Sequence, residues 1–166
     1  MTLFASLPLH PLLVHVPVVL VPLLAVGTVG LAVRRSWLER FGVLAAGLAV
    51  VAAVGTLLAS QSGEDLQERV RRTAAVRAHT ELGDQAKVVV AAFLLTLFVW
   101  IALDWWWKRR GADRAPARAG LVGRGLMVAS LAFGALATVW VFRAGHSGAT
   151  AVWGDKTVQT TGGDNG

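Results

Sequence analysis

The sequence contains no cysteine. That excludes a disulfide, a thiolate metal site and an iron–sulfur cluster, so any bound metal or haem must be held by histidine or oxygen. Familiar catalytic signatures are missing too: there is no CxxC, Walker, GxSxG or HExxH pattern and nothing resembling a catalytic triad. Charge is scarce, at 16% of residues against 55% hydrophobic, with a mean hydropathy of +0.58; this balance lies on the membrane side of the soluble average. No charged residue precedes Arg34, so the first apolar run lacks the basic start of a cleavable signal peptide. It is expected to stay in the membrane with its amino terminus outward.

What the sequence has instead is long apolar runs. Its 166 residues amount to one domain by length. Four runs, near 10–33, 37–60, 86–107 and 121–143, each approach or exceed the roughly 20 helical residues needed to cross a hydrocarbon core of about 30 Å. They lack the strict alternation of a barrel strand and are about twice its length. The expected fold is all-α, an integral membrane four-helix bundle over residues 1–153, followed by a polar, glycine-rich, disordered tail at 154–166.

The net charge of +6 raises the question of nucleic acid, and its distribution answers it. The connections after runs one and three hold Arg34, Arg35 and Arg40, then Lys108, Arg109, Arg110, Arg114, Arg118 and Arg124, against only Glu39, Asp104 and Asp113. Charges on the opposite side cancel, so the whole excess lies at one face. This is the positive-inside pattern, which places the basic loops in the cytoplasm and both termini outside. The stretch "DWWWKRR", Asp104 to Arg110, fits an aromatic belt meeting a cytoplasmic headgroup layer. The reading therefore involves the bilayer and no nucleic acid, with anionic lipid at the loop "KRRGADRAPARAG".

The first basic loop is short enough to make runs one and two an antiparallel hairpin. Between runs two and three, Ser62 is expected to cap a short helix starting near Gly63, or that segment extends run three. Runs two and four carry stripes of Ala, Gly and Ser that let helix backbones approach closely. Pro11 suits a first helical turn, whereas Pro17 and Pro22 free the carbonyls of Leu13 and Val18 and should kink the first span.

All four histidines fall at the external end of this arrangement: His10 and His15 on span one, His79 before span three, and His146 after span four. His15 is expected about 7.5 Å deeper than His10, below the interface, where an ionisable side chain is by default a functional candidate. His79 precedes Gly83 by one turn. His146 stands between glycines in "RAGHSG", with Arg143 one turn earlier. A flat macrocycle held by two imidazoles needs histidines on different helices, small residues at its edge and cations near its propionates. His15, His79, Gly83, Arg143 and Arg77 supply that set. His15 and His79 are the preferred ligands, with His146 or His10 as substitutes or outer partners.

The stretches "HPLLVHVPVVL", "AHTELGD" and "VFRAGHSGATAVWG" resemble an uncharacterised bacterial family of four-span membrane proteins, domain of unknown function 2231. The resemblance covers nearly the whole chain. It implies a four-helix bundle in the bacterial inner membrane without implying an activity. Two functions follow as expectations. One is a protein binding haem b, or zinc or copper, at its external histidines for electron transfer or redox sensing, with a redox partner. The other is a cofactor-free accessory subunit of a larger membrane complex. An enzyme is not expected.

Overall fold

The computed structural model describes residues 9–110 and 117–160. Its elements are α1 (Leu9–Leu13), α2 (His15–Val33), α3 (Arg35–Gln67), α4 (Ala74–Arg109) and α5 (Ala117–Thr160). Four helices, counting α1 with α2 as one span from His10 to Val33, are long and apolar enough to cross a membrane. Their outward surface agrees with that reading: Val26, Val33, Val43, Val88 and Leu95 are all strongly exposed. A stripe of this size would be a liability in water and is the normal surface toward lipid.

Proline and a single arginine set the breaks. Val14 separates α1 from α2, where Pro17 offers no N–H to the carbonyl of Leu13 and the helical ladder loses a rung. Arg34 is the one extended residue between α2 and α3, its N–H still bonded to the Gly30 carbonyl at 3.0 Å. The two helices therefore reverse on a minimal hinge. Thr73 caps α4, accepting from the Val76 N–H at 3.2 Å and so satisfying one of the orphan donors of the first turn.

Helix α2 packs against α3 and α5, and α4 packs against the same two. The order around the bundle is α2, α3, α4, α5, with α2 and α4 on the diagonal. The core mixes bulk and small residues: fully buried Phe93 on α4 fits against Gly134 on α5, where a Cβ would stand 3.0 Å from its ring. Gly55 on α3 lies still closer to Val16. Buried hydroxyls return to their own helix, Thr28 to the Leu24 carbonyl at 2.7 Å and Ser130 to the Leu126 carbonyl at 2.7 Å, so neither is left unpaired in an apolar setting.

The helices outrun the expected spans. Ser62 does not cap a new helix; it sits inside α3, which continues to Gln67, and its hydroxyl bonds back to the Ala59 carbonyl at 2.9 Å instead of capping. Likewise α5 passes straight through "RAGHSG" to Thr160, beyond Trp153 where the polar tail was expected to begin. No proline interrupts that stretch, and Gly148 is packed rather than solvated. The tail's last residues, 161–166, the middle of the basic loop, 111–116, and Pro8 lie outside the described residues.

Candidate functional site

The histidine end of the bundle is built twice. His10, on α1, directs Nδ1 at the carbonyl of Ala59 on α3, 2.9 Å away, with the Ser62 hydroxyl at 3.3 Å. His79, on α4, directs Nδ1 at the carbonyl of Ala144 on α5, 3.1 Å away, with the Ser147 hydroxyl at 3.0 Å. Each serine also bonds the same carbonyl as its histidine. Each ring lies against a glycine one turn further on: a Cβ on Gly63 would stand 2.9 Å from His10 Cε1, and one on Gly148 would stand 3.0 Å from His79 Cε1. A larger residue at either glycine would push the imidazole off its carbonyl.

The sequence signal for this seat is a repeated pentapeptide, "ASQSG" at 59–63 and "AGHSG" at 144–148, which the positions of the histidines alone do not reveal. The repeat extends into the core. Buried Val21, Leu24, Thr28 and Leu31 follow His10 at the intervals at which buried Val90, Phe93, Leu97 and Trp100 follow His79. On the partner helices, buried Ala49 and Ala52 precede Ala59 as Gly134 and Ala137 precede Ala144. The chain is thus two helical hairpins of like design, side by side and pointing the same way.

Where the hairpins meet, the histidines meet. The His10 and His79 ring centroids are 6.2 Å apart with planes at 73°. A backbone carbonyl can only accept, so Nδ1 carries the proton in both rings. In a neutral imidazole of that tautomer the lone pair is on Nε2. Holding one ring nitrogen through its N–H while leaving the other bare is how proteins orient histidine for a metal.

The other expected residues fall elsewhere. The structure pairs His79 with His10 and not with His15. His15 is exposed, and its Nδ1 is held locally by the Pro11 carbonyl at 2.5 Å. His146 is exposed on α5, its carbonyl accepting from Thr150. Arg143 lies over the Trp140 ring at 5.2 Å, and the Trp140 N–H donates to Gln85 at 3.1 Å. Arg77 is exposed on the first turn of α4. Gly83, one turn below His79, has open space where a Cβ would be. Lys87 crosses to α3, bonding Ser60 at 2.9 Å and pairing with Glu64 at 3.5 Å, and it also pairs with Asp84 of its own helix at 3.1 Å. Among the described residues no three histidine or carboxylate side chains converge as a metal-ligand set.

No curated protein and no solved structure matches the chain. A family match runs through both hairpins and both histidine seats, over residues 6–161, under the description Predicted membrane protein (DUF2231). The chain therefore belongs to that family of predicted membrane proteins.

Proposed function

We propose that this protein holds one haem between His10 and His79 and passes single electrons at the outer face of a bacterial inner membrane. The observation that carries the reading is the pair itself: two imidazoles from diagonal helices, each anchored through Nδ1, with centroids 6.2 Å apart. Imidazoles this close on different helices are the residues that would hold such a group. Zinc or copper held by histidine alone would need further protein ligands. A two-imidazole set would suit haem, and bundle cores hold such groups between facing helices.

Haem held this way supplies one-electron chemistry. The chain's part would be to hold that group through His10 and His79. The carbonyls of Ala59 and Ala144 set the tautomer, Ser62 and Ser147 support those carbonyls, and Gly63 and Gly148 let the rings lie flat against their helices. The positive-inside pattern turns the basic end to the cytoplasm and leaves the histidines to a redox partner outside.

The test is an oxidised and a dithionite-reduced absorption spectrum of protein made with ample haem supply and purified in mild detergent. A Soret band that sharpens on reduction, absent from both His10→Ala and His79→Ala and kept in His15→Ala, is expected. Stoichiometric haem in the first two variants, or a colourless parent protein, overturns the assignment. A second reading has an observation of its own. Each histidine already ties the two helices of its hairpin together, so the pair serves equally as a clasp in a cofactor-free accessory subunit. That reading predicts a colourless protein that brings a membrane complex with it through gentle purification.

A further inference from the structure

The opposite, basic end of the bundle carries a separate feature that the haem reading does not use. A cleft of about 690 Å³ opens there among all four spans. Its depth is apolar, with Leu31 of α2, Trp100 of α4 and Met127 of α5 on its walls, and its rim is cationic, with Arg35, Lys108 and Arg124. The first two cations are already answered. Asp104 pairs with Arg35 at 2.6 Å and with Lys108 at 3.2 Å, and Glu39 pairs with Lys108 at 3.1 Å.

Two donors that line the cleft, one on α4 and one on α5, are not answered. Arg124 uses Nε on the Gly120 carbonyl at 3.3 Å and has no carboxylate partner among the described residues. Trp107 buries its indole Nε1–H with no acceptor among the described residues. A buried donor without a partner is uncommon in a native fold and calls for a missing acceptor. Gly120 and Gly123 leave the α5 wall bare, with open space where each Cβ would be.

An unanswered guanidinium and an unanswered indole N–H on one cleft fit an anionic oxygen acceptor, and an apolar floor fits hydrocarbon. The cleft also sits at the level of the tryptophan belt, where Arg109 and Arg110 lie over Trp105 and Trp106 at 4.2 and 4.0 Å. Aromatic residues of this kind mark the headgroup layer, and basic pockets between spans are established as headgroup sites. We propose that this cleft binds the phosphate of an anionic phospholipid. The phosphate oxygens accept from Trp107 Nε1–H and the Arg124 guanidinium, and an acyl chain lies along Leu31 and Met127.

The test is native mass spectrometry of the detergent-purified full chain exchanged into mixed micelles of phosphatidylglycerol, of phosphatidylcholine, or of detergent with inorganic phosphate. Phosphatidylglycerol should be retained and phosphatidylcholine should not. Trp107→Phe, which keeps the ring and loses the N–H, and Arg124→Gln should each retain about tenfold less, the scale of one hydrogen bond to a charged group. Arg143→Gln, at the histidine end, should retain as much as the parent. Equal retention by the cleft variants overturns the site, and equal retention of phosphatidylcholine overturns its preference for anions. Displacement of the lipid by millimolar inorganic phosphate would assign the cleft to a soluble anion and overturn the lipid.

Discussion

The two hairpins present the same histidine seat on different cores. Behind His10 the buried stripe is Leu24, Thr28 and Leu31, on a helix carrying Pro11, Pro17 and Pro22. Behind His79 the equivalent stripe is Phe93, Leu97 and Trp100, on a helix with no proline. Packing in the two halves has been met with different volumes and different backbones. Yet the carbonyl, the serine and the glycine that hold each imidazole are the same. The demand at the seats therefore comes from the histidines and not from general packing, since packing alone would have let the seats diverge as the cores did.

The largest effect should come from the core, where the halves differ. Phe93→Ala removes a fully buried ring fitted against Gly134 and should cost about 3–5 kcal/mol, measured by chemical unfolding in detergent. Leu24→Ala, its counterpart, removes less volume and should fall toward the lower part of the 2–5 kcal/mol that buried leucines cost, roughly. Equal losses would mean that the two stripes carry the same packing despite their different side chains.

The seats should respond alike. Gly63→Ala and Gly148→Ala each place a Cβ about 3 Å from an imidazole carbon, and each should destabilise by about 1–3 kcal/mol through overpacking. If haem is bound, both should also weaken it, visible as a smaller Soret band per protein. Tolerance at one glycine and collapse at the other would break the equivalence of the halves. Ser62→Ala and Ser147→Ala should act more gently and equally, by about 0.5–1.5 kcal/mol each, the net worth of a hydrogen bond.

Much of this was legible in the residues. Span number, helix type and the one-sided charge follow from apolar length and from where arginine and lysine fall, because a bilayer leaves few alternatives to a helix. The histidine pairing was not legible, for a physical reason. A helix facing lipid on one side and protein on the other is apolar all round, so span one offers no amphipathic stripe to say which side faces the bundle. Depth then stood in for direction and favoured His15 over His10. The helix ends misled similarly: "RAGHSG" reads as a stop because glycine in water ends helices, whereas here Gly148 is the floor beneath His79. The two pentapeptides were the available clue, and they needed a search for parallel repeats.

The smallest predicted effect separates depth from geometry most cleanly. His15→Ala and His146→Ala remove exposed rings, the first held only by its own helix, so each should change stability by no more than about 0.5 kcal/mol. Neither should alter an absorption spectrum. His15 has the deeper position along span one, and His10 has the carbonyl, the serine, the glycine and the second imidazole. If His15→Ala abolished a cofactor that His10→Ala spared, position along the helix would outweigh the whole arrangement at the seat. Indifference at His15, with loss at His10, would place function at the contact between the two hairpins.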